Sequence, residues 1–395
     1  MTMKEVKVVI GGNFGDEGKG LMTDYFAAKA VQNGNSCLVV LHNGGAQRGH
    51  TVVTPEGYRH VFHHFGSGSY AGADTYCAEE FVVNPALFRE EYEKLAKHGN
   101  VHKFFINPKC KLTTIYDMLI NQVIEFDRGA NKHGSCGIGV YETLYRNQKG
   151  IDFVCSFKKY ADKMTVGDFA AMNFLNKMEF LEYLRGEYVP RRFAELGLAN
   201  DVPGMFQFVL RNNTAMVNFI DDFQFMLDHS EWADETLFDR YHTVVFENGQ
   251  GILLDQHNMD YFPHLTPSNT GVANPTAILN AYGWAGEVEV CYVTRTYMTR
   301  HGVGRFDTEC PKKDINPNMI DMTNVPNPFQ DALRYGRMNW GDFYRNITKD
   351  CSQAIGRFTV NMTVALTHVN EYAGDVFVKP NYISTGLTRV EVEEV

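Results

Sequence analysis

The run Val6-Lys7-Val8-Val9-Ile10-Gly11-Gly12-Asn13-Phe14-Gly15-Asp16-Glu17-Gly18-Lys19-Gly20 constrains this chain more than any other. Its β-branched opening reads as a buried strand. A glycine-rich turn follows, and the apolar spacing of Leu21, Tyr25, Phe26 and Ala30 then suggests a helix. Strand, glycine turn and helix in that order put backbone N–H groups and a helix N-terminus where a phosphate can sit. The Walker pattern is not met, because Asn13 stands where its first glycine belongs and Gly20 replaces the magnesium-binding Ser/Thr. Asp16 is the odd member of the loop. A carboxylate beside phosphate is repulsive unless it binds a metal or handles a proton. The plainer alternative is a tight turn with a solvent-facing acid.

Strand-like and helix-like segments alternate along the 395 residues. Strands are expected at 36–41, 103–106, 242–247 and 288–293, and helices at 88–98 and 274–282, with a mostly helical stretch from about 166 to 228. This alternation predicts an α/β fold with a largely parallel central sheet flanked by helices. No repeat, low-complexity tract or Pro/Ser linker interrupts it, so residues 1–395 are expected to form a single domain with a mostly helical insertion near 160–235. A formal net charge of −10 argues against a nucleic-acid partner while allowing one small nucleotide in a local basic pocket. No apolar run approaches the roughly 20 residues of a membrane span, and the start of the chain leads straight into the first strand, leaving no room for a signal peptide. Eight scattered cysteines without a Cys-x-x-Cys pair read as reduced thiols, and a cytoplasmic location is expected.

After the second strand comes His42-Asn43-Gly44-Gly45-Ala46-Gln47-Arg48-Gly49-His50-Thr51. Its glycines suit close backbone approach to a ligand. His50 is a candidate acid or phosphate-stabilising charge, against the commoner reading of a satisfied structural histidine. His60, His63 and His64 lack the Cys or carboxylate pattern of a zinc site and read as core and surface residues.

Taken together, these residues resemble the adenylosuccinate synthetase family. Gly15-Asp16-Glu17-Gly18-Lys19-Gly20 and Gly44-Gly45-x-x-x-Gly49-His50-Thr51 carry the resemblance first. Phe246-Glu247-Asn248-Gly249-Gln250-Gly251-Ile252-Leu253-Leu254-Asp255 is similar to the family's F-E-G-A-Q-G-x-L-L-D. The stretch from Tyr261 to Thr270 is similar to Y-P-x-V-T-S-S-N-T. Tyr297-Met298-Thr299-Arg300 with Gly302, Gly304, Phe306, Thr308 and Glu309 is similar to Y-T-T-R-x-G-x-G-x-F-x-T-E.

The resemblance implies a ligase that joins L-aspartate to the 6-position of a purine nucleoside monophosphate, using a nucleoside triphosphate and Mg2+. It implies that Asp16 takes the N1 proton of the base and coordinates the metal, and that His50 stabilises the transferring phosphoryl group. The Gly49 carbonyl would be a second metal ligand. Gly15, Glu17, Gly18 and Lys19 would contact the transferring phosphate, Gln250 the purine edge and Thr266 the nucleotide phosphate. A homodimer is implied, since the family completes its monophosphate site with a partner arginine, for which Arg146 is the nearest match.

Departures are as informative. The family's monophosphate loop is altered to His133-Gly134-Ser135-Cys136-Gly137-Ile138-Gly139, with Ser135 the surviving hydroxyl. The arginine-rich acid-binding loop shrinks to a stretch carrying Arg334 and Arg337. Asn-Ala before Gly-His becomes Gln47-Arg48, which is expected to set a new positive charge against the active loop. Where the family's aspartate reads guanine in Leu-Thr-Lys-Leu-Asp, this chain has Leu366-Thr367-His368-Val369-Asn370. An amide cannot match guanine's paired donors as a carboxylate does, so His368 and Asn370 leave GTP or ATP open as donor. They also leave open IMP or, as in a viral branch of the family, dGMP as acceptor. A catalytically silent nucleotide-binding paralogue is the reading from another class.

Overall fold

The computed structural model describes residues 3–99, 101–129, 135–149, 153–155, 158–160, 164–198, 202–318, 333–372 and 374–395. A ten-stranded sheet organises it. From edge to edge its strands are Glu231–Trp232, Phe104–Ile106, Asp74–Cys77, Cys37–Leu41, Thr243–Gly251, Glu5–Gly11, Glu287–Arg295, Thr359–Thr367, Tyr382–Ser384 and Val392–Glu394. Neighbours run parallel except for the last pair, which is antiparallel. The expected largely parallel sheet is present.

Alternation along the central strands sorts the core into two layers. Val9, Val39, Leu41 and Val245 face one way, while Val8, Ile10, Leu38, Val40, Val244 and Phe246 face the other. Leu21, Met22, Phe26 and Ala27 of the helix Lys19–Gln32 cover the first face. Leu279 of the helix Ala273–Tyr282, with Phe343 and Ile347 of the helix Trp340–Cys351, covers the second. A parallel strand buried on both faces has no polar side to show, which is why these strands read as continuous apolar runs.

The expected elements occur with small shifts that have local causes. The helix expected at 88–98 begins earlier, at Pro85, because the Asn84 Oδ1 accepts the Leu87 N–H at 3.3 Å and Pro85 occupies the first turn. The strand expected at 242–247 runs on to Gly251. From 166 to 228 the described chain is helical, in Val166–Ala170, Phe174–Tyr183, Val189–Leu196, Gly204–Arg211 and Asn213–Asp228 with a π-helical turn at Leu184–Tyr188. Several of these helices open on a side-chain cap, from Thr165, Asn173 and Asn212.

Parallel topology puts the C-termini of every strand but Val392–Glu394 on one side, where open α/β sheets bind their ligands. At that rim Gly251 pairs with Gly11. A Cβ on Gly251 would run into the Asn13 carbonyl oxygen and crowd the Gly15 nitrogen. Gly251→Ala is therefore expected to push the phosphate loop off the sheet and to lower stability by about 1–3 kcal/mol, as overpacking does. Urea unfolding, beside loss of nucleotide binding in the still-folded fraction, checks it; unchanged binding would mean the loop has room.

Candidate active site

Five neighbouring strands end at Leu41, Gly251, Gly11, Arg295 and Thr367, and each hands over directly to a stretch singled out in the sequence. The loop after Gly11 is folded around its own acid. The Glu17 Oε1 accepts the N–H groups of Asn13 at 3.0 Å and Gly15 at 2.8 Å, and its Oε2 pairs with Lys19 Nζ at 3.1 Å. Glu17 and Lys19 are both almost fully buried. Glu17 thus shapes the turn and holds Lys19, and its carboxylate is turned inward rather than toward a phosphate. Gly18, at φ 98°, precedes the helix Lys19–Gln32 with no side-chain cap, which leaves that N-terminus available to an anion.

Asp16 occupies the left-handed region at φ 63°. Its carbonyl accepts a 2.6 Å hydrogen bond from Arg295 Nε, and its Oδ2 lies 3.4 Å from His301 Nε2. Gln250, at φ 58°, is the strand-end counterpart on Thr243–Gly251. The Gln250 and Gln47 Oε1 atoms are both buried without a hydrogen-bond partner among the described residues. Buried carbonyl oxygens so placed can accept hydrogen bonds from a ligand. The Thr266–Thr270 loop reaches the same place, since Ser268 Oγ accepts the Gly44 N–H at 3.0 Å and Thr266 N–H binds the Leu254 carbonyl at 2.9 Å.

His50 was legible in the sequence, but the group that governs it was not assigned there. His50 Nδ1 lies 2.6 Å from Glu247 Oε1, and Glu247 is fully buried. The other Glu247 oxygen accepts from Arg48 Nη2 and the Ser67 N–H, each at 3.0 Å, and the Ser67 hydroxyl donates to Oε1. Burial alone would raise the Glu247 pKa, yet Arg48 and the other donors hold it down to about 2. Burial lowers the His50 pKa to about 4; Glu247 pulls it up, and Arg48 and Lys19 push it further down. His50 is therefore a neutral ring donating its Nδ1 hydrogen to a carboxylate. Arg48, expected as a charge against the active loop, is instead buried behind it. The sequence signal for Glu247 was its place three residues before Gln250 in one motif.

Against known proteins, the adenylosuccinate synthetase family model matches residues 8–324. The chain belongs to the adenylosuccinate synthetase family. It is 27% identical over 326 residues to the adenylosuccinate synthetase of Prochlorococcus marinus strain MIT 9301, covering 80% of this chain and 66% of that one. The enzyme of that name from Crocosphaera subtropica is 29% identical over 318 residues, covering 80% and 64%. The chain thus spans about two thirds of the length of these relatives. Among solved structures, the fully ligated adenylosuccinate synthetase from Plasmodium falciparum superposes with a TM-score of 0.66 at 17% identity, over 99% of this chain and 87% of that one. The succinoaminodeoxyadenylate synthetase of cyanophage S-2L, bound to dGMP and to dATP as an energy donor, gives 0.61 at 14% identity, over 99% and 95%. These likenesses bear on the fold.

The remaining expected residues divide. Ser135 Oγ accepts from Asn121 Nδ2 at 2.7 Å; His133 and Gly134 lie outside the described residues. Arg146 is corrected: it is 1% exposed and bound bidentately to Asp117 at 2.9 Å, so it cannot reach across an interface to a partner's site. Arg334 is turned to Glu309 at 2.9 Å and to the carbonyls of Gly302 and Gly304, which makes it a brace of that turn. Arg337 is exposed beside it. His368, at φ 56°, touches Thr367 Oγ1 at 2.8 Å, and Asn370 is exposed just beyond. His63 donates to the Ala46 carbonyl, while the N–H groups of His63, His64 and Phe65 converge on the buried carboxylate of Glu91. No three His, Cys, Asp or Glu among the described residues form a metal cage, and none of their helices is long and apolar enough to cross a membrane.

The depressed His50 pKa sets a pH dependence of stability. The unfolded ring takes its proton near 6.5, the folded one only near 4. As pH falls through that window the unfolded chain binds a proton that the folded chain refuses, so stability is lost, by up to about 1.4 kcal/mol per pH unit. His50→Asn is expected to flatten that share of the slope, read from urea unfolding at pH 7 and pH 4.5. An identical slope in the variant would show that the folded and unfolded His50 rings take their proton at the same pH.

Proposed function

We propose that this chain is a carbon–nitrogen ligase that joins L-aspartate to the 6-position of a purine nucleoside monophosphate, IMP in the first reading, driven by a nucleoside triphosphate. The observation that carries the reading is that four of the five family motifs stand at the ends of four adjacent parallel strands, with the fifth, Tyr261–Thr270, folded back onto them through Ser268 and Gly44. Hydroxide is too poor a leaving group for an amine to displace the 6-oxygen directly. Asp16 accepts the N1 proton, the electron pair moves to the 6-oxygen, and that oxygen attacks the γ-phosphorus, whose bond to the β,γ-bridging oxygen breaks as the nucleoside diphosphate leaves. The aspartate amine then displaces phosphate from carbon 6. Lys19 and the helix N-terminus receive the triphosphate. The neutral His50 gains a proton as that negative charge arrives, with Glu247 already in place on its other nitrogen.

The Asp16 carboxylate and the Gly49 carbonyl are hard oxygen donors that suit Mg2+, which commonly completes its shell with phosphate and water. Bound there, Mg2+ would neutralise the transferring phosphoryl charge.

A second acceptor, dGMP, is favoured by the carbonyl oxygens of Gln47 and Gln250, which are buried without a hydrogen-bond partner among the described residues. Guanine brings a 2-amino donor that hypoxanthine lacks. The intact Asp16 favours IMP, because the 2-amino group needs space beside it.

The test is an incubation with L-aspartate and Mg2+, pairing IMP or dGMP with GTP or ATP and following the succinylated product by mass. No product from any pair would establish the silent paralogue. Asp16→Asn is expected to lower kcat by roughly two to four decades, the span of a general base; near-normal turnover would remove Asp16 from the chemistry.

Donor choice follows from Asn370. One mismatched donor on guanine costs about 1–3 kcal/mol, roughly tenfold to a hundredfold in affinity. Adenine's N6 donor and N1 acceptor suit an amide. ATP is expected to serve as donor, as dATP does in the cyanophage protein. Asn370→Asp with His368→Lys should move preference toward GTP. A GTP preference above about a hundredfold in the unmodified chain, measured as kcat/KM, would overturn this.

A further inference from the structure

One turn of chain holds Asp16 from both ends. Arg295, at the end of its strand, grips the Asp16 carbonyl, while His301, six residues on, lies with Nε2 3.4 Å from Oδ2. His301 fills the position that the family motif Y-T-T-R-x-G leaves open between Arg300 and Gly302. The turn that presents it is fixed on its far side. Arg334 Nη1 donates to the carbonyls of Gly302 at 3.1 Å and Gly304 at 2.9 Å, with Glu309 holding the rest of the guanidinium. Arg300, 1% exposed, donates through Nη2 to the His264 carbonyl at 3.2 Å and lies over the Phe14 ring. The imidazole is therefore carried on an anchored support. The Asp16 side chain, in contrast, is 27% exposed on a loop. A carboxylate so placed would rotate among several orientations unless something beyond its own backbone selected one.

We propose that His301 is a positioning residue for the ligase reaction: its Nε2–H holds Oδ2 of Asp16, so that Oδ1 is presented to the N1 proton of the acceptor purine. Any form of the ring carrying hydrogen on Nε2 can donate across this 3.4 Å contact. The inference rests on the reading of Asp16 as the base. A base turned away from its proton loses rate without losing substrate affinity, and a misplacement of about 1 Å can cost on the order of a hundredfold.

The test compares kinetics of the full chain with its variants. His301→Val is expected to lower kcat by roughly tenfold to a hundredfold, with KM for the monophosphate changed by less than about threefold. His301→Gln, which returns an N–H at the end of the side chain, should recover most of the loss. In an Asp16→Asn background, His301→Val should add nothing further, since two residues acting through one bond are not additive. Thermal melting confirms that each variant is folded; His301→Met, which fills the space without an N–H, replaces the valine variant if that one is not. Full turnover in a His301 variant, with Asp16→Asn still crippled, overturns the positioning role and leaves the base in place. An equal kcat loss from His301→Val with and without Asp16 overturns it too. An active Asp16→Asn removes the base itself, and the inference with it.

Discussion

The carboxylate of Glu247 sits fully buried at the centre of the molecule, and the arrangement of the site follows from how it is satisfied. An isolated charge there would be expelled or neutralised. Four donors prevent that: Arg48, His50, and the N–H and hydroxyl of Ser67. Three segments are thereby tied to one strand: the loop after Leu41, the strand opening at His50, and the turn at Ser67. Buried pairs of this kind contribute little net stability, but losing one partner strands a charge and costs about 3–5 kcal/mol. The chain is thus committed to a geometry in which the His50 imidazole has one orientation and one hydrogen already assigned.

A second consequence is strain that the surroundings can sustain. Three non-glycine residues among those described have positive φ, namely Asp16, Gln250 and His368, and all three stand at the proposed site. Each left-handed residue costs on the order of 1–3 kcal/mol and persists only where neighbours over-determine it. Here the neighbours are visible. Arg295 holds the Asp16 carbonyl, Asn43 and Gly249 exchange hydrogen bonds of 3.2 and 2.8 Å beside Gln250, and Thr367 touches His368. The backbone that carries these side chains therefore depends on a frame of polar contacts made by residues outside the proposed chemistry.

That frame also explains which parts were legible in advance. Apolar β-branched runs announce buried parallel strands, so five strands of the sheet and the glycine loop could be read directly, while Thr359–Thr367, whose first half is of mixed polarity and partly exposed, was not. Asp74–Cys77 and the edge strands could not, because two to four residues of mixed polarity carry neither a period nor an apolar run such as that of Phe104–Ile106. His50 and Gln250 stood out through their motifs, whereas Glu247 and His301 matter only through partners nearly 200 and 300 positions away in sequence. The arginines misled for a related reason. A sequence shows a cation but not its counter-ion, and Asp117 claims Arg146 while Glu309 claims Arg334.

The donor side shows the same separation between frame and function. The family match ends at residue 324, before the strand Thr359–Thr367. That strand nevertheless takes part in the phosphate loop: Thr367 Oγ1 donates to the Glu17 carbonyl at 2.6 Å, and Gly18 packs on the same side chain. Thr367 is buried and Asn370, three residues on, is exposed. The contact that shapes the phosphate loop and the side chain proposed to read the donor base are thus neighbours in sequence under different constraints. A substitution at Thr367 would disturb the loop itself, while one at the exposed Asn370 would leave that contact in place. This is why the residue proposed to read the donor base can differ from the family's while the loop around Asp16 and Lys19 stays recognisable.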